Sequence, residues 1–298
     1  MVERISFEDQ IASNKLKSTL LLGVIIIFFI VLGFVIAQFF DPSLFFLIMI
    51  LSIIFSLTYT VVSYYNSDKI ALASVHAKPA SPTHHRLFFS AAENMSIASG
   101  LPMPRLFVMD SNEINAFASG RGPDKAVICV TTGMLAKLNK QELEGVIAHE
   151  MAHIANYDIR FMTLTAVLIG MISIIAELFL HNLWLGGKDR DTKGSAILII
   201  IGLLFAILAP IAARLVSLAI SRKREYLADA TGAKLTRYPQ GLANALRKIK
   251  AEHVSPQEMH KFNHAIAPLF IADPFKKLHG LFATHPPVDE RIKRLEAM

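Results

Sequence analysis

The chain has 298 residues, of which 53% are hydrophobic and 18% charged, and its mean hydropathy is +0.45. That is too apolar for a soluble globular protein of this size, and long enough for one large or two modest domains. A single cysteine, Cys129, excludes an internal disulfide framework, and the formal charge of +6 reads as basic residues gathered at a membrane surface, with no nucleic-acid partner implied.

Residues 1–17 form a mixed-charge amphipathic tail, after which Ser18 to Phe40 carries no charged side chain. At 1.5 Å per residue that stretch crosses a hydrocarbon core of about 30 Å. It is too long for the apolar region of a secretory signal, and no small-residue cleavage site follows. Asp41 and Pro42 make a turn, and Ser43 to Ser67 is again uncharged, with Tyr59, Tyr64 and Tyr65 suited to an interfacial belt. Residues 18–67 are therefore expected to be a transmembrane hairpin, with spans at 18–40 and 43–65.

From residue 68 to 160 the composition becomes that of a water-exposed domain. Leu87 to Ser99 reads as an amphipathic helix closed by Gly100, followed by strands at Arg105–Met109 and Ala126–Val130. Between the strands lie Asn115–Ser119 (NAFAS) and a turn at Gly120–Asp124. A sheet edge here could accept an extended peptide as an added strand.

The stretch Val146–Asp158, VIAHEMAHIANYD, carries His149, Glu150 and His153 in an H-E-x-x-H pattern. Asn139 and Glu142 form a predicted capping box, and Leu143, Val146, Ile147 and Met151 have helical spacing. On a helix the two histidines share one face, one turn apart, and can present two imidazoles to one ion. Glu150 then sits beside the ion, where its carboxylate can take a proton from a water. Cys129, in the run AVICV, reads as a small buried hydrophobe.

Phe161 to Leu185 and Gly194 to Ser221 are two further apolar runs, giving expected spans at 161–185 and 195–220 within a second hairpin, 161–221. Glu177 and His181 in the third span read as an interfacial pair, and Pro210 as a kink in the fourth. Lys15, Lys17, Lys69, Arg160, Arg222, Lys223 and Arg224 would lie on one side of the membrane, against Lys188, Arg190 and Lys193 on the other. That excess places both termini and the catalytic segments, 68–160 and 222–298, in the cytoplasm.

Two histidines need a third protein ligand to make a catalytic zinc site with one position left for water. Glu225, in SRKREYLADATGAKL, is the best candidate, and Asp229 four residues on can orient a ligand histidine through its other ring nitrogen. The competing reading is a solvated turn in which both acids pair with Arg222, Lys223 or Arg224.

Together the segments PRLFVMDSNEINAFASG, AVICVTTGML, AHEMAHIANYD, SRKREYLADATGAKL and THPPVDERIKRL resemble the HtpX-type membrane zinc metallopeptidases, relatives of the prenyl-protein endopeptidases. The resemblance implies a mainly α fold: four transmembrane helices with a cytoplasmic, gluzincin-type α+β metalloprotease domain carrying a small sheet. It implies one zinc per subunit on His149, His153 and Glu225, Glu150 as general base, and Asp229 behind the ligands. It also implies that Asn115, Ala116, Phe117 and Ala118 line the substrate cleft, and that His285 and Arg291 steady the transition state. Seven spans surround a chamber in the yeast-type endopeptidase, whereas this chain has room for four.

The expected activity is endopeptidase cleavage of unfolded or misfolded membrane proteins at the cytoplasmic face of the inner membrane, a quality-control and stress-response role that the resemblance implies. Narrow processing of a lipidated or signal-like peptide is the alternative enzyme reading. A scaffold or transporter with structural zinc is the non-enzyme reading, which a fourth His or Cys at the metal would favour.

Overall fold

The computed structural model describes residues 7–38, 41–185, 202, 222–252, 269–272 and 286–298. Helix α1 (Phe7–Ala37) and helix α2 (Phe45–Tyr65) run antiparallel, joined through a 3-10 turn at Pro42–Leu44. Asp41 caps that turn by accepting a hydrogen bond from the Ser43 N–H at 2.9 Å. Ile11–Ala37 and Pro42–Tyr65 are long and apolar enough to cross a membrane. Their packing is inverted relative to a soluble helix pair. Ser56, Thr60 and Ser63 of α2 are buried, while Phe46, Leu47, Ile50, Ile54 and Val61 are exposed. Small polar residues let helix backbones approach, and large apolar ones suit a lipid solvent. The Phe29 ring stacks edge-on to Phe55 and Tyr59, with centroids 4.9 and 5.0 Å apart, which fixes the register of the hairpin.

Helix α3 (Ser67–Ser74) leads into a four-stranded mixed sheet of β1 (Lys78–Pro79), β2 (Arg105–Met109), β3 (Ala116–Ser119) and β4 (Val127–Thr131). The strand order is β1-β2-β4-β3, with β2 and β4 parallel and the outer pairs antiparallel. Helix α4 (Arg86–Ser99) ends at Gly100, whose φ of +68° closes the helix in the left-handed region that glycine adopts without cost. The helix predicted at 87–99 and the strands predicted at 105–109 and 126–130 thus form within a residue of expectation. A short helix α5 (Thr132–Lys137) was not anticipated.

Helix α6 (Lys140–Ala155) carries the H-E-x-x-H residues and is the centre of the fold. Its capping box forms as predicted, with the Glu142 N–H donating to Asn139 and the Asn139 N–H donating to Glu142. From Leu143 to Ile154 nearly every side chain is buried, because α4, the sheet and two later helices enclose it. Those helices are α8 (Arg222–Thr236) and α9 (Pro239–Ala251). Two glycines permit their approach: a Cβ on Gly145 would lie 2.5 Å from the Leu242 nitrogen, and one on Gly232 would lie 3.1 Å from the His149 nitrogen. A last helix, α10 (Val288–Glu296), packs on α9 and α8 and buries Arg291, Ile292 and Leu295.

Helix α7 (Asp158–Leu185) follows α6 after a two-residue corner and lies against α1, where Phe161, Leu164 and Leu168 meet Leu21, Ile25, Phe28 and Phe29. The expected span at 161–185 therefore falls within one continuous helix. The expected span at 195–220, residue 202 apart, together with Pro210 and the side chains of Glu177 and His181, lies outside the described residues. The chain is mainly helical with a small mixed sheet, as the sequence implied.

Candidate metal centre

The α6 helix turns His149 and His153 to one side, with their Nε2 atoms 3.2 Å apart. Glu225, near the start of α8, brings Oε2 to 3.7 Å from the His149 Nε2 and Oε1 to 3.6 Å from the His153 Nε2. One ligand atom from each of the three lies within 4.8 Å of the others, and all three residues are buried. Donors about 2.1 Å from a tetrahedral ion are about 3.4 Å apart, so these separations suit a zinc-sized cation. The charged-turn reading of Glu225 and Asp229 does not describe this arrangement, since both side chains point into the protein.

Each histidine is held from behind. The His149 Nδ1 lies 3.0 Å from Asp229 Oδ1, and the His153 Nδ1 lies 3.0 Å from Asp158 Oδ2. A carboxylate can only accept, so each Nδ1–H donates and each Nε2 faces the common point. The part of Asp158 escaped the sequence reading. Its signal was an acid five residues beyond His153, just past a helix end.

Charge around the point favours a cation. Among the described residues, the acids Glu150, Asp158, Glu225 and Asp229 are buried there with Arg224 and Arg291, so carboxyl groups outnumber guanidinium groups. His153 responds to that excess: burial opposes its charging, but Asp158 and Glu225 prevail and raise its pKa to about 9. Without a metal, a proton takes the cation's place. His149 goes the other way, because burial outweighs the help of Asp229 and Arg291 adds repulsion.

Glu150 is the remaining acid. Burial, reinforced by Glu225, raises its pKa to about 7 against the pull of His153. The backbone N–H of Ala118 in β3 faces its carboxylate and favours the charged form, while its Oε1 has no hydrogen-bond partner among the described residues. A buried carboxylate oxygen left open beside three groups placed to hold a metal ion is where a reacting water or amide proton could be met.

Arg291 was expected to face a transition state. Its side chain is fully enclosed: Nε and Nη2 donate to the two oxygens of Asp229 at 2.9 and 2.8 Å, and Nη1 donates to the Ile271 carbonyl at 3.1 Å. The Nη1 is also 3.6 Å from Glu225 Oε2. His285 lies outside the described residues.

The β3 edge is partly engaged by the chain itself. The Ile271 N–H donates to the Ala116 carbonyl at 2.9 Å, the Asn115 side chain donates to the Ala272 carbonyl at 3.0 Å, and Phe117 forms an antiparallel bridge with Phe270. Of the four residues expected to line the cleft, Asn115, Ala116 and Phe117 bind this segment, while Ala118 reaches Glu150. Cys129 is fully buried in β4, and burial pushes its thiol pKa up, in keeping with a structural role.

The profile of Peptidase family M48 matches residues 82–298. The chain belongs to peptidase family M48. It is 46% identical over 255 residues to a protease HtpX homolog of Thermoanaerobacter pseudethanolicus, an overlap of 84% of each chain. A second, from Caldanaerobacter subterraneus subsp. tengcongensis, is 43% identical over 303 residues, covering 100% of this chain and 99% of its own. A third, from Streptococcus mutans, is 41% identical over 298 residues and covers 97% and 98%. Among solved structures, S. mikatae Ste24p is similar over 95% of this chain and 65% of its own, at 20% identity with a TM-score of 0.47. The HtpX-type resemblance read from the motifs is thereby established, and M48 membership makes the chain a protease of a zinc-dependent family.

Proposed function

We propose that this M48 peptidase is a membrane-integrated endopeptidase that binds one zinc through His149, His153 and Glu225 and cleaves extended polypeptides at the cytoplasmic face. The observation that carries the reading is the convergence of those three ligand atoms within 4.8 Å, with the open oxygen of Glu150 beside them. When bound, zinc supplies Lewis acidity toward a water and a peptide carbonyl.

The chain's own groups supply the rest. Asp229 and Asp158 each take the Nδ1–H of one histidine, so both Nε2 atoms are aimed at the common point, and zinc displaces the proton that His153 carries there. Glu150 takes the proton of the attacking water and returns it to the leaving amine, a shuttle that its pKa near 7 suits. The N–H of Ala118 faces the Glu150 carboxylate and favours its ionised form. Substrate selection is by shape: a peptide reaching Glu150 lies along the Ala118 end of β3, because Ile271 and Ala272 engage the other end. Pairing of that kind requires a flexible or unfolded cleavage point, which supports action on damaged membrane proteins.

Four spans with both termini inside is supported by the excess of Lys and Arg at the expected inner ends and by the lipid-suited surface of α2. The test is the full chain purified in detergent, assayed for metal content and for cleavage of an unfolded protein. One bound zinc with chelator-sensitive cleavage is expected. Four protein ligands on the metal and no cleavage of any polypeptide would replace this reading with that of a structural site.

A further inference from the structure

We infer that Asn14, in the first membrane helix, is a positioning residue of the metal centre and acts on His153 through Asp158. The inference rests on the reading of His149, His153 and Glu225 as a metal site, and extends it to a residue some 140 positions away in sequence.

His153 depends on Asp158, yet the two lie on opposite sides of the corner that joins α6 to α7. That corner is not relaxed. Tyr157, a non-glycine residue, has φ of +58°, in the left-handed region where a side chain crowds the following carbonyl at about 1–2 kcal/mol. A strained turn keeps its shape only if its surroundings hold it.

Helix α1 does the holding. The Asn14 Nδ2 carries two hydrogens, and it lies 2.9 Å from the Asn156 carbonyl and 2.7 Å from Asp158 Oδ1. Next along the helix, the Lys15 ammonium sits 4.3 Å over the Tyr157 ring. Both corner residues and the first residue of α7 are thus gripped by consecutive residues of one helix. Asn14 is only 3% exposed, and a buried amide is costly unless its bonds are made. The Asp158 carboxylate is then shared: Oδ1 accepts from Asn14, and Oδ2 accepts from His153. Arg224 also faces Oδ1, but from 3.8 Å. Among the described residues, the side-chain donor placed within hydrogen-bond reach of Oδ1 comes from α1, so the seating of α1 bears on where Asp158 points its other oxygen.

The experiment uses the full chain in detergent. Zinc affinity is measured by competition with a chromophoric chelator, and coordination by the d–d absorption of the cobalt(II)-substituted protein, for wild type, Asn14→Leu, Asp158→Ala and the double variant. Asn14→Leu should weaken zinc on the order of 10-fold and alter the cobalt spectrum, as loss of a partner behind a ligand does. In the Asp158→Ala background the same change should cost less than about twofold, since its route is already gone. Equal losses in both backgrounds, or wild-type affinity in Asn14→Leu, would overturn the inference while leaving the metal reading intact. A wild-type chain that binds no zinc would overturn both. If Asn14→Leu does not fold, Asn14→Ser carries the same four-way comparison.

Discussion

Arg291 grips both oxygens of Asp229, and that same Asp229 accepts from the His149 ring, so helix α10 is wired to a histidine of the candidate metal centre through one carboxylate. The Arg291 pKa is driven up by Asp229 against burial, and the Asp229 carboxyl is held down to about 2, chiefly by the Arg291 guanidinium against burial. The two form a buried pair in which neither can be removed alone without stranding the other.

Arg291→Met should therefore lower the unfolding stability of the full chain by about 3–5 kcal/mol and weaken zinc together. Thermal unfolding in detergent and chelator competition measure both. An arginine that instead touched the transition state would cut kcat while leaving metal affinity and stability as they were.

Glu150→Gln should retain the metal and lose cleavage by about 10²- to 10⁴-fold, the usual worth of a positioned general base. Metal analysis and turnover on an unfolded protein check this on the same preparation. Wild-type turnover in the variant would remove Glu150 from the chemistry.

Glu225→Ala should empty the site although residue 225 is far from the histidines in sequence. Metal stoichiometry near zero, with α6 still folded by circular dichroism, is the expected result. Unchanged stoichiometry would count against the ligand assignment.

Two pH effects carry opposite signs. In the metal-free chain His153 has its pKa raised to about 9 from 6.5, so the stability it contributes is complete below 6.5 and is lost as pH rises through 9. Zinc displaces that proton, so the loaded chain should release protons on binding near neutral pH and lose its metal as acid reclaims the ligands. Thermal melts with and without chelator, and calorimetry in buffers of different ionisation enthalpy, test the pair. Melting points that rise with pH in the metal-free protein would contradict the first part.

Local patterns carried much of this protein. The capping box at Asn139 and Glu142, the glycine stop at Gly100 and the i, i+4 histidines are set by bonds and spacings within a turn or two of helix, so they are legible in the chain as written. The first two uncharged runs, equally, form the helices their composition demands, because bilayer thickness fixes a length that a sequence must supply. Glu225 could be nominated from sequence because it follows an apolar run long enough to be read as a span that brings the chain back toward the histidines.

Tertiary structure decided which side chains meet. Asp158 reads as the end of a motif until a left-handed residue at 157 swings it back under His153. Asn14 reads as one polar residue at the mouth of a span until α1 is laid against the corner. Arg291 turns inward to Asp229, and Ile271 engages part of a sheet edge that the sequence left open. Such contacts join residues many turns apart, and no periodicity records them: composition and local motifs pointed to apolar helices and an H-E-x-x-H peptidase, while the fold alone could choose the partners that hold its histidines.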